Sequence, residues 1–108
     1  MTILSRISAA ALTLGLLAAP SLAQDLKFAN YMAPTHPYVA STFEPFAKSV
    51  TDQSNGAVKV KLYNGGELGA GPAEQYARAV DGVAEFAISL PGYTASTFPK
   101  TLLTELPA

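Results

Sequence analysis

The sequence has no cysteine, no tryptophan and a single histidine, His36. Without cysteine the chain can have no disulfide framework, no thiolate metal site and no lipid-modified cysteine. His36 lies between Thr35 and Pro37 with no partner at metal-ligand spacing, which favours a turn role over metal binding or catalysis. No serine stands in the G-x-S-x-G context of a nucleophile. The residues therefore predict no catalytic centre, no metal and no cofactor.

Charge is also sparse, with seven basic and eight acidic residues and a formal net charge of −1. No basic stripe is present, so we do not expect nucleic acid as a partner. The glycines Gly66, Gly69 and Gly71 do not follow the dinucleotide-binding G-x-G-x-x-G spacing, and no Gly-Lys-Ser/Thr of a phosphate-binding loop follows them. They indicate a tight corner after a strand.

The first 23 residues have the composition of a cleaved secretory signal. Arg6 supplies the positive charge, the segment 7–19 is weakly polar to apolar, and Ser21-Leu22-Ala23 supplies small residues at the positions that signal peptidase reads. The alternative is a membrane anchor, but this apolar segment is shorter than the ~20 residues that cross a bilayer. We expect a mature chain from Gln24, exported to the periplasm, with no membrane span after cleavage.

The mature part predicts alternating strands and helices. Val58, Val60 and Leu62 alternate with polar residues, which is typical of a strand with one buried face. Val39, Phe43, Phe46 and Val50 recur at helical spacing, although Pro45 predicts a kink or an irregular first turn. The predicted elements are strands over 26–31, 57–63 and 85–90, helices over 37–54 and 72–81, and a short helix or turn over 95–108.

This βαβαβ order predicts an α/β fold with a parallel sheet, because connections of this length require right-handed crossovers. In such sheets ligands bind at the carboxyl ends of the strands. Tyr31, Tyr63, Leu90 and Tyr93 fall at or just beyond predicted strand ends. Aromatic residues there could line a ligand cleft, and simple surface packing is the open alternative.

Several motifs occur together in a characteristic order: L-K-F-A-N-Y, H-P, F-A-K-S-V, N-G-A-V-K-V-K-L-Y, G-G-E-L-G, A-V-x-G, E-F-A-I-S, F-P and E-L-P. In this combination the sequence resembles the N-terminal part of a DctP-type substrate-binding protein of the TRAP (tripartite ATP-independent periplasmic) transporters. The resemblance spans Leu26 to Pro107. It implies that residues 24–108 form a partial first lobe of a two-lobe periplasmic binding protein.

The resemblance implies capture of an organic acid in a cleft between two lobes and its delivery to membrane permease subunits. The ligand contacts of this lobe would come from the ends of strands one and three and from the loop after strand two, at Tyr31, Leu90 and Ala70. In the family an arginine of the later half pairs with the ligand carboxylate, and Arg78 does not match it. The alternative function is a small secreted α/β enzyme or a structural domain.

Overall fold

The computed structural model describes residues 22–107. Almost all of the predicted signal segment lies outside these residues, and so does Ala108. The described elements are β1 (Gln24–Ala29), a π-helical turn (Val39–Phe43), α1 (Glu44–Gln53), β2 (Val58–Tyr63), α2 (Gln75–Val80), β3 (Phe86–Ala87) and two 3-10 helices (Pro91–Thr94 and Pro99–Glu105). Between residues 22 and 107, no helix is both long and apolar enough to cross a membrane.

The three strands form one parallel sheet in the order β2-β1-β3. β1 pairs along its whole length with β2, from Gln24 opposite Val58 to Ala29 opposite Tyr63, and its last two residues pair with β3. The predicted α/β fold with a parallel sheet is confirmed. β1 begins and ends two residues earlier than the sequence predicts.

The core lies between the sheet and the helix that follows β1. Phe28, Val39 and Phe43 are buried, and the centroids of the two phenylalanine rings are 5.1 Å apart. The ring of Phe28 also lies 6.2 Å from those of Phe46 and Phe86. Aromatic pairs at such separations stabilise by about 0.5 to 1.5 kcal/mol beyond their burial. The predicted helical face is therefore the one that packs against the sheet.

Pro45 explains the irregular start of this helix. A proline lacks an amide hydrogen, and inside an α-helix its ring clashes with the carbonyl of the residue four positions earlier. The chain widens into a π turn just before Pro45, and the Glu44 N–H donates to Val39 O. The predicted irregular first turn is confirmed. Gly56, at φ +79°, closes the helix by donating its N–H to Thr51 O at 2.9 Å, as predicted from its position.

The prediction for the second helix was wrong in its start and in its buried face. α2 begins at Gln75 instead of Pro72, and the side-chain amide of Gln75 donates to Gly71 O at 2.9 Å across the turn at residues 72–74. The predicted apolar face, which includes Tyr76 and Val80, is exposed, whereas the Gln75 side chain is buried. Within residues 22–107 no other element covers Val80, so the apolar spacing alone predicted the wrong buried face for this helix.

The third strand is shorter than the predicted span 85–90. It pairs only at Phe86 and Ala87, with one further bond from Ile88 N to Ala29 O at 3.1 Å. Its neighbour β1 ends at Ala29, and the backbone of Asn30 bonds to the β2 side instead. Ser89 and Leu90 therefore have no strand partner in the described sheet.

The segment after β3 folds into two 3-10 helices, which matches the short helix or turn expected over 95–108. Glu105 connects them, because its Oε1 accepts the Gly92 N–H at 2.8 Å. Leu102, Leu103 and Leu106 remain exposed.

Candidate functional site

The sheet order places a crevice between the carboxyl ends of β1 and β3. The chain leaves β1 toward β2 on one side and then crosses back past β1 to reach β3 on the other. Right-handed crossovers place α1 and α2 on opposite faces, so the connections diverge between β1 and β3. In open α/β sheets this topological switch point is where ligands bind.

Two of the three predicted site residues, Tyr31 and Leu90, follow the two strands that flank this crevice. Tyr31 follows β1, and its ring stands perpendicular to that of Tyr93 with 6.0 Å between the centroids. Tyr93 belongs to the first 3-10 helix, and its N–H donates to Leu90 O at 3.0 Å. We call the paired rings of Tyr31 and Tyr93, together with Leu90, whose backbone bonds to that of Tyr93, the aromatic wall. The Leu90 side chain is 47% exposed and that of Tyr93 is 41% exposed.

A buried amide holds the loops after β1 and β2 together. Asn30 is 1% exposed, its Nδ2 donates to Asn64 Oδ1 at 3.0 Å, and its Oδ1 accepts the Met32 N–H at 2.9 Å. Its backbone N–H donates to Tyr63 O, and its carbonyl accepts from Gly66. Sequence reasoning missed Asn30 as a site residue, although a polar residue directly after an apolar strand was the available signal.

The third predicted residue, Ala70, lies in the glycine loop and joins the wall only indirectly. The loop is bonded to the β1 side through Gly65 N and Met32 O, 2.7 Å apart. Ala70 O accepts a hydrogen bond from Arg78 Nη2 at 3.1 Å. Gly69 has φ +133°, a conformation that other residues rarely adopt, and the Arg78 guanidinium occupies the space that a Cβ would take.

A carboxylate lies beside the wall, because Glu105 Oε1 accepts the N–H of Gly92, the residue before Tyr93, at 2.8 Å. Burial, and then the neighbouring Tyr93, raises the pKa of Tyr31 above its ordinary value of 10.0. Tyr31 therefore keeps its hydroxyl proton at physiological pH. Arg78, the only arginine among residues 24–107, is engaged with Ala70 O and not with the wall.

Closed or metal-binding sites are not found in the part of the chain that the structure describes. Residues 22–107 form no enclosed pocket, and no three of their His, Asp or Glu side chains are placed to hold a metal ion.

Comparison with known proteins agrees with this geometry. Residues 28–107 match the family model of the bacterial extracellular solute-binding proteins, family 7. The chain belongs to this family. The predicted resemblance to a DctP-type TRAP substrate-binding protein is thereby confirmed. No curated protein matches the sequence.

Solved family-7 structures share the fold of this chain. A TRAP solute-binding protein from Rhodoferax ferrireducens, in complex with copurified benzoate, is 35% identical with a TM-score of 0.72, over 77% of this chain and 26% of that one. A marine metagenome TRAP protein specific for aromatic acid ligands, in complex with 3-hydroxybenzoate, is 29% identical with a TM-score of 0.68, over 72% and 24%. A Sulfitobacter protein with bound β-D-galacturonate is 25% identical with a TM-score of 0.67, over 78% and 27%.

The chain thus spans about a quarter of the length of these solved relatives. The relatives are solute-binding proteins and not enzymes, and no finding favours the enzyme alternative.

Proposed function

We propose that this chain is the N-terminal part of a periplasmic solute-binding subunit of a TRAP-type transporter, which captures an organic carboxylate. The family match over residues 28–107 carries this proposal. Benzoate, 3-hydroxybenzoate and β-D-galacturonate, the ligands of the three relatives, share a carboxylate and little else. The carboxylate is therefore the ligand feature that we assign.

In this proposal residues 24–108 supply one side of the cleft. Tyr31 and Leu90 contact the ligand from the ends of β1 and β3, and Ala70 contacts it from the glycine loop. A carboxylate in a closing cleft needs a positive partner, and an arginine satisfies both of its oxygens with fixed geometry. Since Arg78 is engaged with Ala70 O, this partner would come from a second lobe. The loaded protein would deliver its ligand to the membrane permease subunits.

Calorimetric titration with a panel of carboxylates tests the proposal on two proteins, the full gene product and residues 24–108 alone. We expect micromolar dissociation constants for the full product and no measurable heat of binding for the fragment. Failure of the full product to bind any carboxylate would contradict the proposed function. Micromolar binding by the fragment would contradict the division of the site between two lobes.

Export is tested separately. We propose that the signal is removed after Ala23, so mass spectrometry of the periplasmic fraction should find an N-terminus at Gln24.

Lys61→Ala serves as the matched control for the binding variants Tyr31→Ala and Leu90→Asp, because Lys61 lies exposed on β2. We expect both binding variants to weaken carboxylate affinity and the control to leave it unchanged.

A further inference from the structure

The aromatic wall carries information about which carboxylate binds. Its two tyrosine rings are perpendicular at 6.0 Å, within the range that edge-to-face pairs prefer. One ring follows β1 and the other follows β3, so the pair spans the crevice at the switch point. Leu90, which is 47% exposed, is joined to Tyr93 by a backbone hydrogen bond.

Apart from the two phenol hydroxyls of the wall itself, the polar side chains of Asn30, Ser89 and Thr94 already bond within the chain. Both functional groups of the Asn30 amide are used, by Asn64 and by the Met32 N–H. The Ser89 hydroxyl lies 3.4 Å from Leu90 O and the Thr94 hydroxyl lies 3.2 Å from Pro91 O. A ligand hydroxyl placed against the wall would lose its water partners and find few replacements, which weakens binding.

We propose that the aromatic wall selects an aryl carboxylate over saturated and polyhydroxylated acids; this inference rests on the proposed function. A flat aromatic ring gains from burial against Leu90 and from ring–ring interaction with Tyr31 and Tyr93 beyond burial alone. A saturated ring of the same size keeps the burial and loses the ring–ring interaction. A sugar acid loses the ring–ring interaction and most of the apolar burial, and it finds partners for few of its hydroxyls.

The protonation state of the wall fits an anionic ligand. Burial and Tyr93 hold the pKa of Tyr31 above its ordinary value. The neutral phenol does not repel a nearby carboxylate, as a phenolate would.

Three ligands of equal charge separate the contributions of ring–ring interaction, apolar burial and ligand hydroxyls to the affinity. They are benzoate, cyclohexanecarboxylate and galacturonate. Calorimetry on the full gene product should give benzoate an affinity about three- to tenfold higher than cyclohexanecarboxylate, from one or two favourable ring pairs. Galacturonate should bind more weakly than either. Equal affinity for benzoate and cyclohexanecarboxylate, or tighter binding of galacturonate, would overturn the inference.

Tyr93→Leu tests the wall itself, because leucine keeps an apolar side chain and removes the ring. We expect the ratio of the benzoate and cyclohexanecarboxylate dissociation constants to fall toward one. Tyr76→Leu is the matched control, since Tyr76 forms a similar perpendicular pair with Phe98, 5.2 Å away on other elements. In Tyr76→Leu the ratio of the two dissociation constants should equal that of the unchanged protein. An equal fall of this ratio in Tyr93→Leu and Tyr76→Leu would overturn the inference.

The design separates two kinds of failure. If no carboxylate binds the full product, the proposed function fails and the inference fails with it. If carboxylates bind without preference for the aryl acid, only the inference fails. If Tyr93→Leu does not fold, the comparison of the three ligands on the unchanged protein still decides.

Discussion

Replacement of Asn30 by alanine should destabilise the protein strongly, although the residue is small and lies at a loop. Asn30 is 1% exposed, and its side chain makes one hydrogen bond to Asn64 and one to the Met32 backbone. Alanine removes both bonds and leaves the Met32 backbone N–H and the Asn64 side-chain oxygen Oδ1 without their partners.

The cost follows from these two orphaned groups. A buried donor or acceptor that loses its partner costs about 1 to 3 kcal/mol, and both bonds here are only partly buried. We therefore expect Asn30→Ala to lower the free energy of unfolding by about 2 to 4 kcal/mol. Against the ~5 to 15 kcal/mol of a typical domain, this is a large fraction of the stability.

Urea unfolding of the full gene product measures the effect. Gln53→Ala is the matched control, because the Gln53 amide bonds to Ser49 on the exposed surface of α1 and should matter by less than about 0.5 kcal/mol. A double-mutant cycle with Asn64→Ala should reveal a coupling of about 0.5 kcal/mol or more between the two asparagines. An Asn30→Ala variant as stable as the control, or strict additivity in the cycle, would refute the reasoning.

Three further predictions concern the core, the glycine loop and the amino end of the sheet. Phe28→Ala should lower the free energy of unfolding by about 3 to 5 kcal/mol because it empties the centre of the aromatic core, whereas Phe98→Ala, at an exposed ring, should cost clearly less in the same urea titration. Gly69→Ala should cost about 1 to 3 kcal/mol through its positive φ, and hydrogen exchange should show lost protection in residues 65–71; unchanged exchange would count against the role assigned to Gly69. Glu85 accepts the Lys27 N–H at 2.6 Å, and this bond, followed by its own backbone N–H, lowers its pKa below the ordinary 4.5. The stabilisation that the Glu85 carboxylate contributes is therefore complete above its pKa in the unfolded chain and is lost as the pH falls through its pKa in the folded chain. Glu85→Gln should for this reason flatten the dependence of the free energy of unfolding on pH below about pH 4.5. A pH dependence as steep as that of the unchanged protein would contradict this assignment.

Local patterns predicted those parts of the fold whose structure depends on neighbouring residues. The alternation in β2 and the helical spacing of Val39, Phe43 and Phe46 both reflect burial against the sheet, and both were right. Gly56 closes α1 because only a residue tolerant of positive φ fits there, which sequence position alone indicated.

The errors lie where a distant partner decides the structure. β3 is short because its neighbour β1 has already ended, and this register is invisible in the segment 85–90. The late start of α2 is the exception, since the Gln75 side chain there bonds to Gly71 O, only four positions away. Asn30 was missed because its partner Asn64 lies 34 positions away.

The candidate site stays a prediction, and sequence position accounts for where two of its residues lie. Tyr31 and Leu90 could be placed at strand ends from their positions alone, since parallel strands collect their carboxyl ends at one edge. Their connection through Tyr93 depends on the 3-10 helix after Pro91, which the sequence indicated only as a break in the strand. Ala70 was placed by resemblance alone, and all three residues stay predicted ligand contacts.

The bonds around Asn30 also bear on how the aromatic wall would act in binding. Tyr31 lies between Asn30 and Met32, and both neighbours are bonded to the loop after β2 through Gly66 and Gly65. The backbone that carries Tyr31 is therefore fixed when the chain folds, and the ligand does not have to order it. Because ordering of loops and side chains at a site weakens binding, a prepared wall raises affinity without adding a contact. Asn64→Ala, which touches no part of the wall, should for this reason weaken the binding of every carboxylate by a similar factor, whereas Tyr93→Leu should change the preference among them.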